Sequence, residues 1–397
     1  MGARTSPKPP WSERRHREER ARQREHPFQV DRDRVIHSAT FRELQHKTQV
    51  QSVSDGGGAP ELRIRLRRDR GTGFRTRLNH VLEVAQIARG LADDLDAEEP
   101  LAEAIALAHD LGHTPFGHAG ERALSEALKA HGVAEGFNAN VHSLAVVDEV
   151  ECAFPEFRGL NLTWATREGI ARHATPFDEP ISFGEFAKEP NAGLEAQLVD
   201  MADMLAYLAH DLDDAIAAGL MKLDELTALS PVLAELVSFD PKTMVWPPEE
   251  RDLLMRKRLV ARLTSRLIED IVVCTKERLS KKGIDDPAAV RSCRERVVTQ
   301  SDANAKLTRD LLGLLSKRYY RSREVAESDS EAATAITGLF EALVADPSRI
   351  PARFNGRSEL MRAATYVASL NDVSARVLAQ KLGAIESDGS PAMTAPS

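Results

Sequence analysis

The adjacent pair His109-Asp110, in the stretch Ala-Leu-Ala-His-Asp-Leu-Gly-His, carries the most informative chemistry of this chain. An imidazole beside a carboxylate offers a nitrogen and an oxygen ligand to a metal ion, and an ionised Asp is costly to bury without a partner. His80 and Asp203 can complete such a site, although His80 alone would also suit a hydrogen-bonded structural role. The pattern H…HD…D indicates divalent-metal phosphate chemistry. Its mixed N/O donors suit Mn²⁺, Fe²⁺, Co²⁺ or Mg²⁺ better than a thiolate-dependent metal.

Two further histidines, His113 and His118, follow within nine residues of His109 on a turn rich in Gly and Pro. One of them could protonate the leaving oxygen of a phosphoester, and the other could contact the phosphoryl oxygens. Glu121 could orient His118 from three residues away, or it could be a capping or surface carboxylate. Arg77, about one helical turn before His80, suits a phosphate clamp.

A polar stripe runs along a third segment that is otherwise made of Leu, Ala, Met and Ile. Asp203, Tyr207, His210, Asp211 and Asp214 fall at i, i+4, i+7, i+8 and i+11, which is one face of a helix. The stripe could be a solvent-exposed face. The alternative that we favour is the wall of a site, with Asp203 on the metal, Tyr207 on phosphate or sugar, and Asp211 on a sugar hydroxyl.

Composition indicates one large domain or two ordinary ones, because the chain has 397 residues of which 42% are hydrophobic. The three cysteines, which are far apart in the sequence, fit neither a disulfide framework nor a zinc spacing. No apolar run has membrane-spanning length and no signal-peptide core is present. We therefore expect a cytoplasmic protein with no membrane partner.

The net charge of −8 conceals a basic N-terminal quarter. Residues 1–34 carry ten Arg/Lys against six Asp/Glu, and residues 61–77 carry seven basic residues against two acidic ones. The first segment fits a solvated tail. The second could meet a phosphate-bearing partner such as single-stranded nucleic acid, could serve an effector or subunit site, or could be a charged edge strand.

Apolar spacing predicts an all-α fold, with a short β-hairpin or strand near the N-terminus and a C-terminal helical extension. The strand is expected at 62–66, where Leu and Ile alternate with Arg, and Gly112 is expected to stop the helix at 101–111. The domain prediction is a disordered charged tail at 1–27, a catalytic core at 28–218, a C-terminal helical region packed on it at 219–385, and a flexible tail at 386–397. A helix followed by a turn is predicted over 33–49. Further helices are predicted at 78–95, 119–131, 140–152, 163–173, 193–218, 249–280, 286–314, 329–345 and 356–382.

Several long segments, in this order, resemble the dGTPase-like deoxynucleotide triphosphohydrolases of the HD superfamily. Together they cover roughly residues 28–380. The segments are Asp31–Ser38, Phe41–Val50, Arg75–Gln86, the HD stretch through Glu121, Leu162–His173, Glu195–Asp214 and, more weakly, Ala364–Asp372.

The resemblance implies an HD-domain helical globule that hydrolyses a dNTP to a deoxynucleoside and inorganic triphosphate, with dGTP as a candidate substrate. It also implies a homo-oligomer, with a hexamer as one form, and a second dNTP as an effector. By position, the family's metal ligands correspond to His80, His109, Asp110 and Asp203. Its catalytic histidine corresponds to His118, the acidic partner of that histidine to Glu121, and its α-phosphate contacts to Arg77 and His113. The positions that line the deoxyribose correspond to Gln49, Tyr207 and Asp211, and a nucleotide contact corresponds to Tyr366.

The chain departs from that family at two places. Ala139 stands where a histidine is common, and His142 could substitute for it from nearby; Met204 stands where a charged residue is common. Two rival functions remain open: an HD-type phosphodiesterase or phosphomonoesterase with the same four ligands, and a nucleic-acid-binding regulatory protein with a vestigial site.

Overall fold

The computed structural model describes residues 11–16, 26–48, 76–176, 184–239, 245–354 and 358–385, and the secondary structure of this part of the chain is helical. The helices up to the end of the polar stripe are α1 (Pro27–Ile36), α2 (Ala39–Glu43), α3 (Arg77–Asp94), α4 (Glu99–Ala108), α5 (Gly117–Ala130), α6 (Ala139–Ala145), α7 (Trp164–Ala171) and α8 (Leu194–Ala217). The later ones are α9 (Leu223–Leu229), α10 (Pro231–Val237), α11 (Arg251–Lys282), α12 (Pro287–Ser292), α13 (Asp302–Leu315), α14 (Arg323–Ala345), α15 (Glu359–Ser369) and α16 (Asp372–Lys381).

Helices α3, α4 and α8 pack against one another and form the frame of the site. Helix α3 begins at the N-cap Thr76, whose side chain accepts a hydrogen bond from the Asn79 backbone N–H. Helix α4 is Ala/Leu-rich and buried over most of its length, as its all-round apolar sequence predicts. Burial of these three helices in one hydrophobic core fixes the backbone positions from which the candidate ligands project.

The end of α4 differs from the prediction, because the helix ends at Ala108 rather than at Leu111. Gly112 lies in the following turn, and a Cβ there would stand 2.1 Å from the Ser143 backbone nitrogen and 2.5 Å from the Ala139 carbonyl oxygen. Close approach of α6 is therefore what requires glycine at position 112. The pair His109-Asp110 occupies the turn itself, immediately beyond the helix.

The C-terminal helices build a second hydrophobic cluster on α5. Helix α14 packs along α5, and α15 and α16 pack against α14. Phe116, Leu124 and Leu128 contribute the α5 side of this cluster, and Phe340 is fully buried within it. The first residue of α5 and the residue before it thus lie at the junction between the two clusters.

Several sequence predictions are corrected by the structure. The β-hairpin or strand expected at 62–66 gains no support: that segment lies outside the described residues, and the described part contains only isolated bridges such as Thr48 with Thr76. The single helix predicted within 33–49 is two helices, α1 and α2, and the turn predicted after it is a 3₁₀ turn. The predicted helix 286–314 is α12 and α13, and the predicted helix 356–382 is α15 and α16. Each predicted helix is interrupted where a polar side chain caps a new one.

Part of the segment 1–27, which was predicted to be a disordered tail, is ordered against the helices. Within residues 11–16, Arg14 pairs with buried Asp31 at 2.6 Å and donates to the Asn161 carbonyl oxygen. A buried carboxylate needs such a partner, which explains why this stretch lies against the helices. The tail at 386–397 lies outside the described residues, and the bounds at 28–218 and 219–385 stay a prediction. Among the described helices, none is long and apolar enough to cross a membrane.

Candidate metal centre and active site

The four predicted metal ligands meet in one buried cluster. His80 projects from the first turn of α3, His109 and Asp110 follow α4, and Asp203 lies on α8. The His80 Nε2 atom is 2.7 Å from Asp203 Oδ1, and His109 Nε2 is 3.4 Å from Asp110 Oδ1 and 3.8 Å from Asp203 Oδ1. All four side chains are buried.

The orientation of His109 fits a metal ligand. Its Nδ1 atom lies 2.7 Å from the Ala106 carbonyl oxygen, which places the ring proton on Nδ1. The lone pair of Nε2 therefore faces the cluster, where this buried atom has no hydrogen-bond partner among the described residues. His80, His109 and Asp110 have ligand atoms within 4.8 Å of one another, and so do His109, His173 and Asp203, so this mixed N/O cluster could hold a divalent cation.

Both carboxylates of the cluster are held ionised. Burial acts to raise the pKa of Asp110, but the Arg77 guanidinium at 2.7 Å and the nearby His109 and His113 outweigh it and lower the pKa well below its usual range. For Asp203, burial is likewise outweighed by His173 and His80, which lower the pKa well below its usual range. Burial lowers the pKa of His109 and favours its neutral form. For these three groups the favoured protonation state is the one that binds a cation, whereas at His80 the nearby Asp203 and Asp110 outweigh burial and raise the pKa.

Arg77 is in place for the predicted phosphate contact. Its side chain is only 1% exposed, and one terminal nitrogen donates to Asp110. Its Nε and second terminal nitrogen have no hydrogen-bond partner among the described residues, although both are buried. Buried donors without an acceptor are unfavourable, and the oxygens of a bound phosphate would satisfy them.

The turn after the HD pair places His113, His118 and Glu121 together. His113 Nε2 lies 3.0 Å from Asp110 Oδ1, and its Nδ1 lies 3.7 Å from Glu121 Oε2. That same Glu121 oxygen is 3.8 Å from His118 Nδ1. Burial acts to raise the pKa of Glu121, but His118 and His113 lower it. Glu121 thus lies between the two imidazoles. It also accepts a hydrogen bond from the Ala139 N–H in the first turn of α6, so a capping role for this carboxylate agrees with the structure too.

The two imidazoles differ in exposure. The His113 side chain is 4% exposed and that of His118 is 29% exposed. His118 is therefore reachable by a substrate while its other side rests near a carboxylate. This is the arrangement of a general acid or base with an orienting partner.

The polar stripe on α8 is a buried wall, so the alternative of a solvent-exposed face is wrong. Tyr207 is 7% exposed and Asp211 is 2% exposed. The Tyr320 hydroxyl donates to Asp211, and its ring centre lies 5.8 Å from that of Tyr207. Burial, with the charge of Asp214, raises the pKa of Asp211 to about 7. The wall thus combines two hydroxyls with a carboxyl that gains its proton near neutrality.

Two residues of the site were missed by sequence reasoning. Tyr320 comes from more than a hundred residues away, and its only signal was the rare pair Tyr319-Tyr320 in a chain with four tyrosines. His173 is 1% exposed, with Nε2 3.2 Å from Asp203 Oδ2 and Nδ1 2.7 Å from Asp200 Oδ1. His173 contacts the Asp203 oxygen that His80 does not contact. In the sequence, this pairing was indicated only by a second carboxylate, Asp200, one helical turn before Asp203.

The structure shows the surroundings of the residues at which this chain departs from the family, Ala139 and Met204, and of the nearby His142. The backbone N–H of Ala139 donates to Glu121 Oε1 at 3.0 Å, so this position holds the Glu121 carboxylate without using a side chain. His142 Nδ1 lies 2.8 Å from the Gly112 carbonyl oxygen. Met204 is half-buried against the hydrophobic core.

Of the two remaining predicted substrate contacts, Tyr366 and Gln49, the structure describes only Tyr366, which lies away from the candidate metal ligands. Tyr366 packs its ring 5.2 Å from that of Phe354 in the C-terminal cluster, and none of its described contacts joins it to the metal ligands. Gln49 lies outside the described residues.

Comparison with known proteins agrees with this geometry. Residues 77–208 match the HD domain family, and residues 298–381 match the phosphohydrolase-associated domain. The deoxyguanosinetriphosphate triphosphohydrolase-like protein of Caulobacter sp. is 37% identical over 92% of this chain and 94% of its own length. Proteins of the same name from Rhizobium etli (36% identical, 82% of this chain, 79% of the relative) and Geobacter metallireducens (35%, 87% and 85%) are also similar. The chain belongs to the deoxyguanosinetriphosphate triphosphohydrolase-like family of HD phosphohydrolases.

Proposed function

We propose that this protein hydrolyses deoxynucleoside triphosphates to a deoxynucleoside and inorganic triphosphate, with dGTP as the candidate preferred substrate. The observation that carries the proposal is the buried cluster of His80, His109, Asp110 and Asp203 beside the His118–Glu121 pair. The names of the relatives, which point to dGTP and to triphosphate, support the same reaction.

The cation held by the four ligands would be Mn²⁺, Mg²⁺, Co²⁺ or Fe²⁺, and when bound it supplies Lewis-acid polarisation of the α-phosphoryl group. The chain provides the rest. Arg77 donates from its two unsatisfied nitrogens to phosphate oxygens, and His113 contacts the same region from beside Asp110.

His118 supplies the proton that the reaction requires. Water adds to the α-phosphorus and loses a proton to solvent, the P–O5′ bond breaks, and the departing 5′-oxygen takes a proton from the His118 imidazole. The imidazole then regains a proton from solvent. Glu121, 3.8 Å from His118 Nδ1, orients the ring. Inorganic triphosphate leaves with the oxygen of the attacking water.

The α8 wall would recognise the sugar. Tyr207 and Asp211 offer a hydroxyl and a carboxyl side by side, and the Tyr320 hydroxyl holds the carboxyl. A sugar hydroxyl that bonds with Asp211 would do so in a buried setting, where a missing hydrogen-bond partner is costly. Selection for a 3′-hydroxyl follows from that contact, because an analogue without it would leave Asp211 with one partner fewer.

The test is chromatographic analysis of products from all four dNTPs, singly and mixed, with Mg²⁺ or Mn²⁺. Triphosphate and deoxynucleoside are the expected products. A phosphodiesterase or phosphomonoesterase would instead release pyrophosphate or orthophosphate. Salt-dependent DNA binding without any hydrolysis would favour the regulatory alternative.

A variant pair sharpens that test. His118→Ala is expected to lose turnover while metal binding, measured by calorimetry, stays that of the wild type. His131→Ala, at the other end of α5 and paired with Glu341, is the matched control and should retain activity. Full activity in His118→Ala would contradict the proposed role of this residue.

A further inference from the structure

The turn that carries the candidate catalytic histidines is held from the C-terminal region. Phe116, the residue before α5, has a left-handed backbone with φ of 62°. A bulky residue rarely adopts this conformation, and it persists only where the surroundings impose it. The Phe116 backbone N–H donates to Asp372 Oδ1 at 2.9 Å, and its ring lies buried in the C-terminal cluster, with the Arg376 guanidinium 5.3 Å from the ring centre.

The second oxygen of Asp372 holds another segment. Asp372 Oδ2 accepts hydrogen bonds from the Thr48 backbone N–H at 3.1 Å and from the Thr48 hydroxyl at 2.8 Å. A single carboxylate, on the first residue of α16, thus receives three hydrogen bonds from two segments that are hundreds of residues away. Charge-assisted bonds of this kind are the stronger ones.

A buried ammonium group reinforces the same junction. Lys47 is 1% exposed, and its Nζ donates to the His113 carbonyl oxygen at 2.6 Å and to the Ala368 carbonyl oxygen at 3.0 Å. The backbone of His113 and that of Phe116 are therefore both tied to the segment 368–372. The candidate metal ligands project instead from α3, from α8 and from the turn after α4, and none of them bonds to Asp372 among the described residues.

We infer that Asp372 is a positioning residue for the reaction: by fixing Phe116 and Thr48 it sets where His118 and Glu121 stand relative to the metal cluster. The inference rests on the proposed function in so far as it takes His118 to be the proton donor. It gives the C-terminal region a part in catalysis although that region supplies no metal ligand. A displacement of about 1 Å in a catalytic group can cost on the order of a hundredfold in rate.

The test compares Asp372→Ala and Asp372→Asn with Ser358→Ala in the metal-loaded full chain. Ser358 caps α15 by accepting from the Met361 N–H, so its loss weakens the same region without touching the turn. We measure kcat and KM for dGTP, the Mn²⁺ dissociation constant, and hydrogen–deuterium exchange of the peptide that covers residues 112–118.

Asp372→Ala is expected to lower kcat at least tenfold, with KM and the Mn²⁺ constant within twofold of wild type and faster exchange at 112–118. Asp372→Asn keeps an oxygen for the Phe116 N–H, so it should recover part of kcat and of the protection. It carries the test alone if the alanine variant does not fold. The inference is overturned if both variants keep the kcat of Ser358→Ala, or if Mn²⁺ affinity falls together with kcat. If the wild type releases no triphosphate while exchange at 112–118 still responds to Asp372, the proposed function fails and the structural link stands.

Discussion

Replacing Asp211 by Asn is expected to stabilise the metal-free protein, and more so at alkaline pH. Asp211 is 2% exposed, and burial together with the charge of Asp214 raises its pKa from 3.8 to about 7. A carboxyl whose pKa is raised by folding binds its proton more tightly in the folded state than in the unfolded one. Folding is therefore penalised above the unfolded pKa, and the penalty grows until the pH passes the folded pKa.

The magnitude follows from the size of the shift. One pKa unit corresponds to 1.36 kcal/mol, so the penalty is about 2 kcal/mol at pH 5.5 and about 4 kcal/mol above pH 7. Asn cannot ionise, yet its oxygen can still accept the bond from the Tyr320 hydroxyl. The gain in free energy of unfolding from Asp211→Asn should thus be larger by about 2 kcal/mol at pH 8.5 than at pH 5.5.

The assay is urea unfolding followed by circular dichroism, in the presence of a chelator, at half-unit steps between those pH values. Asp94→Asn, at the exposed end of α3, is the control and should show no such pH dependence. Tyr207, Tyr320, Asp214 and His80 are the ionisable groups that act on Asp211, and all are present in both proteins compared. A gain that does not change with pH, or a loss of stability at pH 8.5, would refute the reasoning.

Three other variants test the packing and the site. Glu168→Gln breaks the fully buried pair with Arg291 and should cost about 3–5 kcal/mol in urea unfolding; a loss under about 1 kcal/mol would show that the pair contributes little. Gly112→Ala should prevent stable folding, because the added Cβ would meet the α6 backbone. In Gly90→Ala the added Cβ has nothing within 4 Å, so the free energy of unfolding should rise by up to about 1 kcal/mol. Equal thermal stability of the two variants would contradict this reasoning. His173→Asn should weaken Mn²⁺ binding about 10- to 100-fold in calorimetry, and an unchanged affinity would mean that this residue does not position Asp203.

Sequence pattern predicted the helical class and the positions of the long helices, because apolar spacing directly reflects which face is buried. It failed where tertiary contacts interrupt an apolar run. Between α12 and α13 the Val297 and Val298 N–H groups donate to the Gln197 side chain, and Ser301 then caps the new helix. The cap was readable from the sequence, but the contact with Gln197 on α8 was not.

For the candidate site, too, some residues could be predicted from the sequence and others could not. The cluster of the four candidate ligands could be predicted because metal binding restricts residue type, and motif order indicated which residues to bring together. His173, Tyr320 and Asp372 act through contacts with residues that are distant in the chain, and no local spacing reveals such pairs. Lys47 is a further case: its ammonium group is buried between two carbonyl oxygens of separate segments, and burial lowers its pKa to about 7.

The central claim is that water attacks the α-phosphorus and that the P–O5′ bond breaks. Its most direct test is hydrolysis of dGTP in ¹⁸O-labelled water, with the products separated and their masses determined by mass spectrometry. Attack on the α-phosphorus with cleavage of the P–O5′ bond predicts one ¹⁸O atom in inorganic triphosphate and none in deoxyguanosine. Label in the deoxyguanosine, or products consisting of the monophosphate and pyrophosphate, would contradict the account.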